Sequence, residues 1–387
     1  MARIHVGEFN DSFPPTIDGV AQAVKNYAAC LHKNYCDVTV VTPAYKNVKD
    51  DYDFPVFRYQ SIPLGRKIDY RAGNVFNPET VMKLRHMKFD LMHVHAPFAS
   101  STLVSNVNLQ HRVPVVLTYH TKFEVDLEKR LSSSVGRKVA LSFVLHNVKA
   151  ADEVWTVTKK CGESLRAIGY EGDYRVMENG TDFPFGTAAP DKIAQLREVY
   201  ELPEDCFVFL FVGRMMWYKN IRLILDTLNL AKAAGLPFRC FMIGSGFDGE
   251  AIRAYATELG LQREVIFTGP IYDREYLRVF FSLADLFLFP STYDTSGIVV
   301  KEAAACQCPA LLVRDSCAAE GAEHMVSGFL AEENADSCAR TLLEACSDRQ
   351  RLTAVGEEAG RSLYLSWDTA VERAYTRYLE ILANWKG

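Results

Sequence analysis

The sequence predicts an α/β protein made of two Rossmann-like, doubly wound domains in tandem. Three observations predict it. At 387 residues the chain is too long for one ordinary core, since single cores stop growing at roughly 250 residues. Short β-rich runs alternate with helical stretches in both halves, the pattern of a parallel sheet wrapped by helices. Near the middle, the segment TDFPFGTAAPDK has weak periodicity and a Pro, Gly and Ala content that marks a linker.

Taken in order, Ile4 to Phe9 alternates as a strand. The loop Asp11 to Gly19 carries two prolines and a glycine and leads into an amphipathic helix from about Val20 to His32. Val38 to Val41, Leu91 to Val94, Val115 to Thr118 and Glu153 to Val157 are the next strands, with helical stretches between them. The second series runs as strand Cys206 to Val212, helix Ile221 to Ala234, strand Phe238 to Ile243, helix Glu250 to Leu259 and strand Val265 to Thr268. It continues with helix Tyr276 to Ser282, strand Leu286 to Phe289, a helix opening at Ile298 to Ala305, and strand Ala310 to Val313. A last helix, Ser366 to Trp385, is amphipathic and aromatic, and on residue pattern alone is expected to pack on the second domain. The expected domains are 1–182, with 366–387 as an added helix, and 183–365.

Hydrophobic residues make up 49% and charged residues 24%, the balance of a soluble globular protein. No run of about 18 apolar residues occurs, and the start MARIHVGEF lacks the order of a secretory signal, so a cytoplasmic location is expected. The ten cysteines are scattered, and Cys306 with Cys308 has the wrong spacing for a CxxC clip. Reduced thiols and no metal are expected. The net charge of −5 hides an asymmetry, about +4 over 1–180 and about −9 over the remainder. The basic half suits an anionic membrane surface or an acidic acceptor, or is an ordinary solvated face. Residues 122–149 interleave Lys129, Arg130, Arg137, Lys138 and Lys149 with apolar residues, as an interfacial helix or a buried amphipathic helix would. No nucleic-acid partner is expected.

In open parallel sheets the ligand lies beyond the carboxyl ends of the strands, so the loops there carry the chemistry. In DSFPPTIDGV, Gly19 directly before a helix suits a diphosphate at the helix N-terminus, although a turn glycine often serves its φ angle alone. In FVGRMMWYKN, Arg214 and Lys219 can neutralise phosphate oxygens on a leaving diphosphate. In FPSTYDTSGIVVKEAAA, Asp294 and Glu302 stand eight positions apart, where carboxylates accept bonds from sugar hydroxyls. Ser296 and Gly297 lie beside them, and the amides of Ile298 and Val299 are aimed at a phosphate. His120 follows a strand at a position expected to face the interdomain cleft, as either a structural or a functional residue. His93 and His95 are read mainly as core or supporting residues. The glycines of MIGSGFDGE lack the context of a dinucleotide fingerprint, which disfavours NAD.

Together these residues resemble family 4 of the retaining glycosyltransferases, with the GT-B fold, over nearly the whole chain. Gly213, Arg214 and Lys219 match its phosphate loop, and Asp294 through Glu302 looks like its Glu, seven residues, Glu motif. The resemblance implies that Arg214 and Lys219 bind the diphosphate, Glu302 the ribose and Asp294 the transferred sugar, with Gly19 near the diphosphate and His120 against the sugar. Trp367 and Asp368 resemble the start of a helix that crosses back onto the first domain, implying an acceptor-binding first domain and a donor-binding second one. Two departures are Asp294 in place of the usual glutamate, and Gln307 where a glycine commonly ends the acidic helix. The DTSG loop, the AAEG segment and the opening loop look most like bacterial enzymes related to diacylglycerol α-glucosyltransferases, peripheral membrane proteins that use UDP-glucose. A nucleotide-sugar donor, a lipid or glycan acceptor, no cofactor, and front-face attack after closure about the linker are then implied. A GDP-mannose-dependent transferase for capsule or teichoic-type acceptors, and a non-catalytic nucleotide-sugar-binding protein, stay open as alternatives.

Overall fold

The computed structural model describes residues 3–16, 18–63, 71–122 and 133–386. The chain divides into two compact units, one of residues up to Asn179 together with those from Trp367 on, the other Gly180–Ser366. The boundary falls three residues before the expected 182, and Gly180 to Asp182 go with the second unit for a physical reason. There the Thr181 N–H donates to Leu365 O at 2.8 Å, and Asp182 accepts from the Arg274 guanidinium.

Unit 1 holds a seven-stranded parallel sheet in the order β3-β2-β1-β6-β7-β8-β9. Its strands are β1 (His5–Phe9), β2 (Asp37–Pro43), β3 (Val56–Tyr59), β6 (Leu91–Val94), β7 (Val115–Tyr119), β8 (Glu153–Thr156) and β9 (Arg175–Val176). An antiparallel pair, β4 (Ser61–Pro63) and β5 (Arg71–Gly73), stands beside it. The helices are α1 (Gly19–Asn34), α2 (Pro78–His86), α3 (Ala99–His111), α4 (Ser134–Lys149) and α5 (Lys159–Ala167). The interior strands are buried on both faces along nearly their whole length, as helices above and below a parallel sheet require.

Unit 2 repeats the plan with six parallel strands in the order β12-β11-β10-β13-β14-β15. They are β10 (Phe207–Val212), β11 (Phe238–Ile243), β12 (Val265–Gly269), β13 (Leu286–Phe289), β14 (Ala310–Val313) and β15 (Phe329–Ala331). The central strand FVFLFV is buried nearly throughout. Around the sheet lie α6 (Pro190–Val199), α7 (Ile221–Ala233), α8 (Gly249–Glu258), α9 (Arg274–Leu283), α10 (Ile298–Ala305), α11 (Ala335–Cys346) and α12 (Arg349–Ser362). The last three residues of the expected linker open α6, where Pro190 suits a first-turn position because it lacks the N–H that would go unpaired.

The last helix, α13 (Trp367–Asn384), belongs to unit 1 and not to the second domain, as residue pattern alone suggested. Tyr378 stacks on Trp155, Tyr375 stacks on Tyr35, Trp367 meets Tyr27 edge-on, and Arg377 pairs with Glu153. The ten cysteines are all free thiols. No described helix is long and apolar enough to cross a membrane.

Strand order reverses between β1 and β6 in unit 1 and between β10 and β13 in unit 2, which marks the switch points where such sheets open a crevice. The loop after β1 leads into α1 at Gly19 and the loop after β6 contains His95, and in unit 2 the corresponding segments contain Arg214, Lys219, Asp294 and Gly297.

The end of α10 carries the second departure. Gln307 takes the left-handed conformation at φ +58°, its N–H donates to Ala304 O, and the Cys308 N–H donates to Ala303 O, which together make a Schellman cap without glycine. A left-handed L-residue costs about 1–2 kcal/mol, against roughly 0.5–1 kcal/mol that glycine adds to the entropy of the unfolded chain. We therefore expect Gln307→Gly to raise stability by up to about 1 kcal/mol, seen as a higher thermal midpoint in unfolding followed by circular dichroism.

Candidate active site

In unit 2 the chain leaves β10 through Gly213 and Arg214, makes a short 3-10 turn at Trp217–Lys219, and enters α7 from Asn220 at φ +57°. Lys219 is only 8% exposed, so its charge needs a partner. It has one in Asp294, whose Oδ1 accepts from Lys219 Nζ at 2.5 Å while Oδ2 accepts from Ser291 Oγ at 2.5 Å. The Lys219 ammonium also lies 5.8 Å from the Tyr218 ring centre and 5.7 Å from that of Tyr293. Arg214 stays exposed, its guanidinium 5.7 Å from the Tyr218 ring centre. Thus the structure brings together Lys219 and Asp294, which lie 75 positions apart in sequence.

Glu302, on the second turn of α10, is buried. Its Oε1 accepts from Arg274 at 2.6 Å, the same guanidinium reaches both oxygens of Asp182, and Arg274 lies 4.3 Å from the ring centre of Phe183. Burial pushes the Glu302 carboxyl above its ordinary range, with Arg274 opposing and Asp182 adding to the rise. Gly297 caps α10 at φ +54°, and a Cβ there would lie 3.1 Å from Ala318 Cα, so both conformation and space call for glycine. Ile298 and Val299 follow as the first residues of α10, where amides have no acceptor within the helix. Ser296 precedes them on the loop.

The glycines of MIGSGFDGE are explained by packing. A Cβ at Gly244, itself at φ +138°, would fall 1.9 Å from Gly213 O, and one at Gly246 would fall 2.4 Å from Met215 O. The Met215 N–H donates to Ser245 O, and the Asp248 carboxylate accepts from the Trp217 N–H. This second loop is the floor on which the Arg214 loop rests.

In unit 1, Gly19 is the first residue of α1 and does not precede it, and its φ is not positive. A Cβ there would meet nothing within 4 Å, so neither conformation nor internal packing asks for glycine. Asp18 caps the helix by accepting from the Ala21 N–H at 2.7 Å. An acid therefore already stands where the sequence suggested only amides.

His120, just after β7, is buried and within 2.9 Å of His95, Nε2 to Nδ1. His95 Nε2 is 2.6 Å from Glu8 Oε2, and His93 Nδ1 is 3.2 Å from the same oxygen. His93 is also within 2.6 Å of the Tyr378 hydroxyl and 2.7 Å of Thr118 Oγ1. Burial pushes Glu8 up, but the charges and hydrogen bonds of His93 and His95 outweigh it and hold the carboxyl at about 2. Burial and the neighbouring His93 lower His95 to about 4, against Glu8, and burial with both histidines holds His120 well below the ordinary range. Glu8, His93 and His95 bring their ligand-type atoms within 4.8 Å of one another, a spacing compatible with a metal ion, yet each of these side chains is already engaged by protein partners. Sequence reasoning missed Glu8 because it sits inside an alternating strand, and missed Arg274 because nothing local marks it.

Residues 17–183 match the family described as Glycosyltransferase Family 4, and residues 192–362 that described as Glycosyl transferases group 1. The alpha-monoglucosyldiacylglycerol synthase of Acholeplasma laidlawii is 24% identical over 323 residues, 81% of each chain. That of Streptococcus pneumoniae is 22% identical over 315 residues, 80% of this chain and 70% of its own. Among solved structures, Anabaena Alr3699/HepE in complex with UDP and glucose superposes with a TM-score of 0.78 at 19% identity, covering 98% of this chain and 99% of that one. Sucrose-phosphate synthase from Thermosynechococcus elongatus gives 0.80 at 22% identity over 99% and 100%.

Open space around Gly19 makes a clean test. Gly19→Ala is expected to leave stability within about 0.5 kcal/mol of wild type and to lower turnover if a ligand approaches there. Unchanged turnover in a steady-state assay would remove Gly19 from the site.

Proposed function

The chain is a family-4 glycosyltransferase with the GT-B fold, and from that premise we propose that it transfers a hexose, with UDP-glucose as the favoured donor, to a lipid or glycolipid hydroxyl with retention at the anomeric carbon. The observation that carries this reading is the Lys219–Asp294 pair beside the unit 2 switch point. An ammonium has three N–H donors, so Lys219 can keep Asp294 and still reach a phosphate oxygen. Sugar-binding carboxylate and phosphate-binding cation then hold each other in place.

In this reading Arg214 and Lys219 neutralise the charge that grows on the diphosphate as the glycosidic bond breaks, with no metal required. The amides of Ile298 and Val299, opened by Gly297 and flanked by Ser296, add donors at a helix N-terminus. Glu302 holds the ribose, in the orientation that Arg274 gives its carboxylate. Attack proceeds from the front face: the departing diphosphate oxygen takes the acceptor proton, and Asp294 and His120 position the sugar without bonding to it. The names of the Acholeplasma and Streptococcus relatives support glucose and a diacylglycerol-type acceptor, and the UDP and glucose of the Anabaena complex support the donor.

A peripheral position on the inner face of the cell membrane is part of the same proposal. On α4, Val135, Val139 and Phe143 are spaced four apart on one face and exposed at 69%, 65% and 44%. Arg137, Lys138 and Lys149 lie on the same helix, while Lys129 and Arg130 of the expected basic stretch fall outside the described residues. Such a face suits an anionic interface.

Release of nucleoside diphosphate from UDP-glucose, UDP-galactose, UDP-N-acetylglucosamine and GDP-mannose, with and without diacylglycerol micelles, tests the function. We expect release from UDP-glucose that rises with lipid; lipid-independent release would move the acceptor to soluble or polyprenyl-linked glycans. Binding without any turnover would leave a nucleotide-sugar-binding protein. Arg214→Ala should lower kcat by roughly 10²- to 10³-fold, about 3 kcal/mol, with an unchanged thermal midpoint. In a separate assay, Val139→Asp with Phe143→Asp should weaken co-sedimentation with anionic liposomes at low salt by roughly tenfold or more, and wild-type protein that stays in the supernatant would end the membrane reading.

A further inference from the structure

Arg274 opens α9, where a cation opposes the helix dipole, and Asp273 already caps that helix by accepting from the Tyr276 N–H, so nothing local calls for an arginine. What holds it there is a pair of carboxylates from distant parts of unit 2. Asp182, near the start of that unit, takes two bonds side by side, from Nε at 3.1 Å and from Nη2 at 2.5 Å. Glu302 takes one, from the same Nη2 at 2.6 Å. The guanidinium lies 4.3 Å from the ring centre of Phe183, which is buried and packs edge-on against Phe281, and this platform fixes its position. Asp182 is anchored through its chain neighbours: the Thr181 N–H donates to Leu365 O, and Phe183 O accepts from the Tyr364 hydroxyl at 3.3 Å.

An arginine and a carboxylate left to themselves close into a two-bond fork that occupies both oxygens. Here the fork is spent on Asp182, and Nη2, with two N–H groups, has one left for Glu302. Glu302 is thereby oriented through Oε1, while its Oε2 takes no hydrogen bond among the described residues and is not sealed from solvent. A carboxylate oxygen in a residue only 6% exposed calls for a donor. We propose that Asp182 and Arg274 are positioning residues that keep Glu302 Oε2 available to the ribose hydroxyls of the nucleotide: by drawing the fork to itself, Asp182 stops Arg274 from covering both oxygens of Glu302. This rests on the placement of Glu302 at the ribose proposed above. It also carries a sign that charge alone does not. Removing an acid from beside an anion site strengthens anion binding on electrostatic grounds, whereas loss of Asp182 frees Arg274 to close on Glu302 and so weakens nucleotides that carry ribose hydroxyls.

Calorimetric titration of the full chain with UDP and with 2′,3′-dideoxy-UDP, which lacks both ribose hydroxyls, is the test. Wild-type protein is expected to prefer UDP by roughly tenfold or more, the worth of a hydrogen bond to a charged group. In Asp182→Ala the preference should fall to about threefold or less, through weaker UDP binding, with the affinity for the dideoxy nucleotide within about twofold of wild type. A general loosening of the fold would weaken both nucleotides together. Asp182→Asn, which keeps the shape and drops the charge, should show the same loss in smaller measure, so the result does not hang on one variant folding. An Asp182→Ala protein that keeps the preference, loses both nucleotides alike or binds UDP more tightly overturns the proposal. Glu302→Ala separates this from the reading beneath it. If it abolishes the preference while Asp182→Ala and Asp182→Asn leave it intact, Glu302 stays at the ribose and only the role of Asp182 falls. If wild type shows no preference, or Glu302→Ala retains it, the placement of Glu302 at the ribose falls and the proposal with it.

Discussion

A charge removed from water has to be met by a partner, and the pairings that meet this demand organise the candidate residues within each unit. Lys219 with Asp294, Arg274 with Glu302 and Asp182, and Glu8 with His93 and His95 all involve a group that is nearly or fully buried. Breaking one such pair by removing a single partner leaves an uncompensated buried charge and costs about 3–5 kcal/mol. Each pair therefore fixes side chains that would otherwise sample many rotamers. The consequence is a site largely formed before any ligand arrives, with Asp294 held by a lysine and a serine hydroxyl and Glu302 held by an arginine.

Because both sheets are parallel, all their strands deliver the chain to the same edge, and the reversal of strand order puts particular loops side by side. In unit 2 that brings the loop after β10 to the loop after β13, and with them Lys219 to Asp294. The shorter carboxylate of Asp294, one methylene less than the glutamate usual in the family, is accommodated by a direct contact with Lys219. Two rings complete the surroundings: Tyr218 and Tyr293 tilt against each other at 4.5 Å beside the lysine. The unit 1 cluster depends on the same geometry, with residues delivered by β1, β6 and β7 to a common edge and closed over by α13.

Much of this was legible in the sequence. The apolar run FVFLFV, the alternating start of the chain and the helix of the acidic motif are local signals, and β10, β1 and α10 form where those signals lie. Arg214, Lys219, Asp294 and Gly297 were marked because residue types suited to phosphate and sugar followed strands. What was not legible was pairing. The partner of Glu302 lies 28 positions away and that of Glu8 lies 87 positions away, distances over which no periodicity speaks. Short edge strands such as β9, with two residues, and β15, with three, carry too little pattern to stand out. Gly19 was placed just outside a helix that in fact includes it, because helix ends differ by a residue or two with local capping. The glycines after β11 looked like a ligand signal, but they serve the close approach of two backbones.

The turn that ends α10 lies under α12 so closely that a Cβ at Gly356 would stand 2.1 Å from Gln307 O, and one at Gly360 would be 3.2 Å from Ala304 O. The helix bearing Glu302 is thus backed by a second helix whose surface there is bare backbone. A side chain added at position 356 has nowhere to go except by pushing that turn, and the displacement would pass along α10 to a carboxylate that Gly356 is not shown to touch. In a random-mutagenesis library scored only for lost activity, Gly356 would sort with the residues of the site itself. A genetic map of this protein would accordingly draw its active site wider than its chemistry, and only a parallel score of protein abundance would separate the two.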